Sequence, residues 1–457
     1  MIIMKFGGTS VADATAMLRT ISIVESKLAQ KPVIVVSACA KVTDTLYNII
    51  NLSEACKQEE AADVIAALKA RHMGIVDELN ASIPFNERKD RDIRTKINQI
   101  FATLEEHLGE GNMSPYDKAL IISSGEYLSS NIIAYAMNQR GTKTKWVDAR
   151  SMVITDNDCL KASPLMDVLE QRAAKVVREA ASKYPTLITQ GFISATEDGK
   201  PTLLGRGGSD YTASLIGMAI DADRIEIWTD VDGVRTADPR IVNNTKGLHK
   251  LSYEEATEMA RFGAKVLHPL TLEPAQKKNI PVYVLNSMNP DNEGTAILSR
   301  ACVFDGIKTL SYKENIRVIN IYSMKMINTV GFMEKVFTTF AKHKVSVDLL
   351  SSSEASITVT VDASQNVDGA VKSLSAFADV TVDRDKAQVS IIGKNIIGVR
   401  GLLATVFTAV VDSKIYMISQ DTTYLNLSIV VDRPELTDVL RKLHQKIFET
   451  GQNQFSE

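Results

Sequence analysis

The chain has 457 residues, too many for one ordinary hydrophobic core, so two or three domains are expected. Hydrophobic residues make up 45% and charged residues 23%, as in soluble globular proteins, and a net charge of −3 argues against general nucleic-acid binding. No apolar run is long enough for a membrane span, no signal peptide is expected, and Cys39, Cys56, Cys159 and Cys302 are too scattered for a zinc ribbon or a disulfide framework, which fits a reducing cytoplasm.

Met1 to Phe6 reads as a buried strand that carries Lys5 near its end and opens into Gly7 and Gly8. Paired glycines let the backbone turn sharply and approach a ligand. Thr9 and Ser10 are good N-cap types for a helix from about Val11 to Ala29. Free N–H groups at such a turn attract phosphate, and Lys5 adds a positive charge beside them. An ordinary strand-turn-helix corner is the alternative. Pro32 to Ser37 is a second buried strand, which makes a parallel βαβ unit. The loop Ser37–Asp44 follows at the strand's carboxyl end, where ligands sit in open α/β sheets. Thr43 there is either a site residue or a plain N-cap.

Residues 45–108 look helical and amphipathic and carry no evident chemistry. Glu126 lies in an apolar helical stretch from Ser114 to Asn138, so it is either salt-bridged or functional, because burying a lone carboxylate is costly. Lys145–Asp148 and Pro185–Gln190 are strand candidates. In Leu203–Tyr211, three glycines surround Arg206, and Ser209 or Asp210 caps a helix reaching about Ala219. Arginine offers a planar fork for a carboxylate or phosphate. A flexible hairpin with an exposed arginine is the alternative there. Arg224–Asp230 is a strand ending in polar residues, followed by the turn-rich loop Val231–Arg240. Ser252 and Glu255 form a capping box for a helix reaching Phe262–Pro269, and Ile280–Leu285 is a last strand of this unit.

The remainder repeats itself. Gly331–Thr338 reappears as Gly401–Thr408, and Val361-Asp362 as Val431-Asp432, both at an offset of 70. Each copy reads as βαββαβ. Paired copies can hold a small effector at a loop, or can be purely structural.

Four segments together resemble the aspartate kinases of the monofunctional kind: Lys5–Ser10, Gly205–Asp210, Trp228–Asp230 with Asp238–Arg240, and Phe262–Pro269. The resemblance runs from end to end and is to the lysine-sensitive type. It implies an α/β amino-acid-kinase fold over residues 1–300, a mostly parallel sheet between helices. It also implies two ferredoxin-like ACT domains, an effector-binding one at 301–384 and a second at 385–457. The implied reaction moves the γ-phosphoryl group of ATP to the β-carboxylate of L-aspartate, with Mg²⁺ held mainly by ATP oxygens.

By resemblance Lys5 and Asp210 are catalytic, with Asp210 orienting Lys5 or the metal-bound phosphates. Ser37, Thr43, Glu126 and Arg206 bind aspartate, Glu126 at the ammonium and Arg206 at the α-carboxylate. Gly7 and Gly8 supply backbone donors, and Thr229, Asp230, Arg235, Arg240 and Lys265 face the nucleotide. Arg235 departs from a tyrosine frequent in the family, and Lys41 from a glycine. Met326, Gly331, Phe332, Asp348, Ser352, Ser353 and Glu354 resemble an effector site, with L-lysine the expected inhibitor and a homodimer or dimer of dimers the expected assembly. Val330 and Asn328 replace an arginine and a histidine of one such relative. Another amino-acid kinase acting on a glutamate-type substrate, or a non-catalytic amino-acid sensor, are the competing readings.

Overall fold

Alternation along the first strand decides what each of its residues serves. In the computed structural model, which describes residues 1–109, 111–263, 268–299, 305–420 and 425–449, Ile2, Met4 and Phe6 point into one core. Ile3 lies close to Gly217 of the helix Gly208–Ala219. Lys5 shares the parity of Ile3, which aims it toward that helix rather than into the apolar core. The fold thereby fixes the direction of the one charged residue in the strand.

The strands of the first unit are β1 (Ile2–Phe6), β2 (Val33–Val36), β3 (Thr144–Trp146), β4 (Thr186–Gln190), β5 (Ile193–Ala195), β6 (Pro201–Leu203), β7 (Arg224–Thr229), β8 (Lys250–Ser252), β9 (Val282–Asn286) and β10 (Thr295–Leu298). Eight of them form one sheet in the order β3-β4-β2-β1-β7-β9-β10-β8, all neighbours parallel except β9 and β10. β5 and β6 form a separate hairpin. β1 and β2 are parallel, as expected for the βαβ unit, and their buried Val and Ile runs suit a sheet covered on both faces. The long helical stretch resolves into Val42–Glu54, Gln58–Ser82 and Glu87–Glu106, and the next helix is Pro115–Gln139, capped by Ser114.

Two helix starts differ from expectation. Gly8–Val11 is a short helical turn, and the helix proper begins at Ala14 under Asp13, whose side chain accepts from the Ala16 amide at 2.8 Å. Ser10 instead shares a 2.8 Å hydrogen bond with Ser287. Neither Ser209 nor Asp210 caps the helix Gly208–Ala219. Its N-cap is Gly207 at φ +74°, and Asp210 sits in the first turn.

The second unit comprises residues 235–248, 254–265 and 302–457 as far as they are described. Its strands are β11 (Gly306–Tyr322), β12 (Leu349–Ser352), β13 (Ser356–Asp362), β14 (Asp379–Lys394), β15 (Met417–Gln420) and β16 (Asn426–Asp432), in the order β12-β13-β11-β14-β16-β15. The sequence repeat is a structural one: Gly331 and Gly401 take φ +85° and +78° and open the helices Phe332–Lys342 and Leu402–Ala409. A linear cut between the two ACT copies at residue 384 nevertheless runs through shared strands. Gly306–Lys313 pairs with the second half of β14, and Ile316–Tyr322 with the first half. Residues 306–313 therefore pack with the later copy. Ala237 and Val242, which chain order would give to the catalytic part, belong to that same core beside Val389 and Ile429.

Candidate functional site

Three neighbouring strand ends are extended by single hydrogen bonds: Gly7 N–H to Trp228 O at 3.1 Å, Ser37 N–H to Phe6 O at 3.1 Å and Gly191 N–H to Val36 O at 2.8 Å. The loops that leave these strands therefore start at one edge of the sheet. Glycine lets them close up. A Cβ on Gly8 would stand 2.9 Å from Ala38 O, and one on Gly191 would overlap Ser209 at 2.5 Å. What they enclose is a cavity of about 460 Å³, lined by Lys5, Ser37, Thr43, Glu126, Arg206 and Asp210 among others. All six of those residues were expected at the site, from four separate stretches of sequence. Tyr47 and Phe192 also line it and were not expected. Tyr47 lies one helical turn after Thr43, a spacing that the sequence displays but that carries no chemistry of its own.

Lys5 is buried, and its Nζ lies 2.5 Å from Asp210 Oδ1. Glu126 is buried as well. Loss of water pushes its carboxyl up to about 8, against the opposing pull of backbone N–H groups at Ala38 and Glu126 itself. Its Oε2 has no hydrogen-bond partner among the described residues, so the salt-bridged alternative is absent there. Arg206 is exposed between Gly205 and Gly207, both at positive φ. His268 packs on Gly207. Burial, and then the Arg206 charge, lower its pKa, with Asp210 opposing. One mouth thus offers a cation, a proton-holding acid and a lysine already paired with an acid.

Thr229 ends β7 beside β1, and its hydroxyl donates to Asp230 at 3.2 Å. The Ser287 amide donates to Thr229 O at 2.8 Å. Other expected nucleotide contacts read differently. The Gly7 amide is engaged by Trp228 O because the β1–β7 ladder runs one residue past the strand. Arg235 donates from Nε to Thr245 Oγ1 at 2.7 Å, and Arg240 grips Asp238 with contacts down to 2.6 Å; neither lines the cavity. Lys265 and Cys302 lie outside the described residues. Lys41 stands at φ +66°, a backbone conformation that suits glycine. Among the described residues, no group of three or more His, Cys, Asp or Glu side chains is placed to hold a metal ion, and no helix is long and apolar enough to cross a membrane.

A second cavity, about 560 Å³, lies in the first repeat and is lined by Met326, Gly331, Phe332, Ser353 and Glu354 among others. Ser352 and Asp348 do not line it. The Asp348 carboxylate is held by Lys313 at 3.1 Å, so its charge is already answered within the chain.

Known proteins resemble this chain over nearly all of its length. The amino acid kinase family model matches residues 1–286, and the ACT domain model matches 319–376 and 389–447. Lysine-sensitive aspartokinase 3 of Escherichia coli (strain K12) is 33% identical over 459 residues, covering 98% of this chain and 99% of its own. Aspartokinase 1, chloroplastic, of Arabidopsis thaliana is 32% identical over 98% of this chain and 80% of its own. The crystal structure of E. coli aspartokinase III with aspartate and ADP (R-state) gives a TM-score of 0.87 at 32% identity, covering 98% of this chain and 100% of the other. The same enzyme with lysine and aspartate (T-state) gives 0.81 at 33% identity, with the same coverage.

Proposed function

This chain belongs to the amino acid kinase family, in its aspartokinase branch, and we propose that it phosphorylates the β-carboxylate of L-aspartate with ATP, giving 4-phospho-L-aspartate and ADP. The observation that carries this reading is the cavity, where buried Glu126 and exposed Arg206 suit the two charges of an amino acid's backbone end. Arg206 takes the α-carboxylate, and Glu126, once ionised, takes the ammonium. Ser37 and Thr43 hydroxyls complete the polar wall. The side-chain carboxylate of aspartate, which in water loses its proton near pH ~3.9, is already a nucleophile at neutral pH and needs no general base. Attack on the γ-phosphorus then depends on alignment and on neutralising charge. Lys5, steered by Asp210, supplies that charge.

The phosphates lie along the turn after β1, with the Gly8 amide beside them and Thr229 and Asp230 on the nucleotide side. Mg²⁺ fits this site as a nucleotide-held ion, since Asp210 is engaged by Lys5; bound with ATP, it neutralises phosphate charge. We assign effector binding to the cavity of the first ACT repeat, where Glu354 suits the ammonium group of L-lysine. A homodimer or dimer of dimers in the cytoplasm is the expected assembly. An ADP-coupled assay tests the reading. Turnover with aspartate, little with glutamate, and inhibition by added lysine are expected; glutamate as the better substrate, or no turnover with either, overturns it.

A further inference from the structure

We propose that Arg71 is a positioning residue that holds the phosphate-side loop and the substrate-side loop at a fixed separation. Arg71 lies on the helix Gln58–Ser82 and is exposed. Its Nη1 donates to Ala40 O at 3.1 Å and its Nη2 to Ala12 O at 3.0 Å. Those carbonyls end two different loops. Ala12 follows the turn Gly8–Val11 that begins at β1, and Ala40 ends the Ser37–Ala40 stretch that begins at β2. On the inner side, the Ala40 amide donates to Gly8 O at 3.0 Å. Ala40 is therefore gripped through both its N–H and its C=O, directly before Lys41 turns into the left-handed region.

A guanidinium suits this task because its donors form a rigid planar fork, whereas an ammonium on a flexible stem is a point charge. The next residue steadies the helix that presents it. His72 is buried, its Nδ1 lies 2.8 Å from Leu68 O, and its ring packs near Phe101. Phosphoryl transfer depends on the approach of acceptor oxygen to phosphorus, so loosening two loops that hold the two reactants slows the chemical step more than it weakens either ligand. The kinetic part of this inference rests on the reading of the cavity as the aspartate and ATP site; the clamp itself does not.

The test uses the full chain with Arg71→Ala and Arg71→Lys. Both are expected to lower kcat by about 10- to 100-fold while both KM values move less than about threefold. Added guanidinium ion should restore part of the loss in Arg71→Ala and leave the unmodified chain unaffected. Amide hydrogen exchange over residues 8–12 and 38–41 should speed up in Arg71→Ala whether or not the chain phosphorylates aspartate. Unchanged exchange in these segments overturns the clamp. So does a full rate in Arg71→Lys, which would leave only charge, or an absence of guanidinium rescue, which would mean general disturbance of the helix. Faster exchange in a chain that never turns over aspartate would defeat the reaction reading and leave the clamp standing.

Discussion

The cavity of the kinase unit keeps Lys5 and Glu126 out of water, whereas the cavity of the first ACT repeat leaves Glu354 exposed above a floor containing buried Phe332. Both are of similar size, about 460 and 560 Å³. The contrast concerns what has been prepared before any ligand arrives. Desolvated charges act through a low effective dielectric and need no reorganisation during reaction. A charge at an open rim is screened and contributes modestly. Catalysis needs the first arrangement. A feedback site that must release its effector as concentrations fall is served by the second.

The largest effect should follow from removing the prepared cation. Lys5→Met is expected to cut turnover by about 100- to 1000-fold, as when a transition-state donor is lost. It also strands Asp210 without its 2.5 Å partner, so thermal stability should fall too. Adding Asp210→Asn should recover stability and none of the rate. A double variant that regains turnover would mean that the pair is structural, and the contrast between the cavities would lose its catalytic half.

Glu126 gives the next effect. Its carboxyl titrates near 8 in the fold against 4.5 for an ordinary glutamate, because burial disfavours the charged form. Between those values the folded protein holds a proton that the unfolded chain has lost, so stability declines as pH rises from about 4.5 to about 8. Aspartate's ammonium requires the ionised form. KM for aspartate should therefore fall from pH ~6.5 to ~8.5, with proton release on binding visible by calorimetry in buffers of different ionisation enthalpy. Glu126→Gln should raise KM about 100-fold and flatten its pH dependence, since a buried ammonium loses its counter-charge. A KM profile as steep as the unmodified chain's would place the titrating group elsewhere.

The same contrast explains what could be read before folding. Lys5, Gly8, Glu126 and Arg206 announce themselves because each violates a local rule: a charge ending a buried strand, glycines where a helix begins, an acid in an apolar helix. The cavity brings Lys5, Glu126 and Arg206 together. Gly7 was legible as a turn but not as a partner of Trp228, because that residue lies more than two hundred residues away in the chain. Arg235 and Arg240, expected on the nucleotide side, meet Thr245 and Asp238 in the fold, contacts that no motif in the sequence marks. Repetition betrayed the ACT copies, but not the shared strands β11 and β14, since pairing register leaves no mark at a distance in sequence. Tyr47 and Phe192 were invisible because an aromatic on a helix or after a strand is ordinarily core.

At the open cavity the expected effects are smaller. Glu354→Ala should raise the lysine concentration for half-inhibition by about two- to fivefold, read against the variant's own uninhibited rate, in keeping with loss of one exposed charge contact. Raising salt to about 0.5 M should weaken inhibition in the unmodified chain, by screening, more than it raises KM for aspartate. Asp348→Asn should matter less than Glu354→Ala, because Lys313 already holds that carboxylate. Equal effects would show that the Lys313–Asp348 pair opens when effector binds, and inhibition indifferent to both changes would remove the cationic effector.

The smallest effect separates burial itself from the chemistry that burial serves. His72 is as dry as Glu126, with Nε2 unpartnered among the described residues, but it lines neither cavity. Desolvation first, and then the Arg71 charge, lower its pKa from 6.5 to about 4, against a hydrogen bond to Leu68 O. The unfolded chain takes up this proton near pH 6.5 and the folded chain resists until about 4, so the histidine's contribution is intact above 6.5 and is lost as pH falls through that window. From pH ~7 to ~5.5 the histidine's share of the change should be a loss of about 1 kcal/mol, opposite in sign to the gain from Glu126, read as the difference in urea-midpoint shift between the unmodified chain and His72→Leu. His72→Leu, which keeps the apolar contact with Phe101, should remove the histidine's share and leave the Glu126 share, with KM for aspartate keeping its full dependence on pH. If the leucine variant flattened the KM profile instead, the proton attributed to Glu126 would belong to the helix Gln58–Ser82, and the prepared acid would no longer distinguish one cavity from the other.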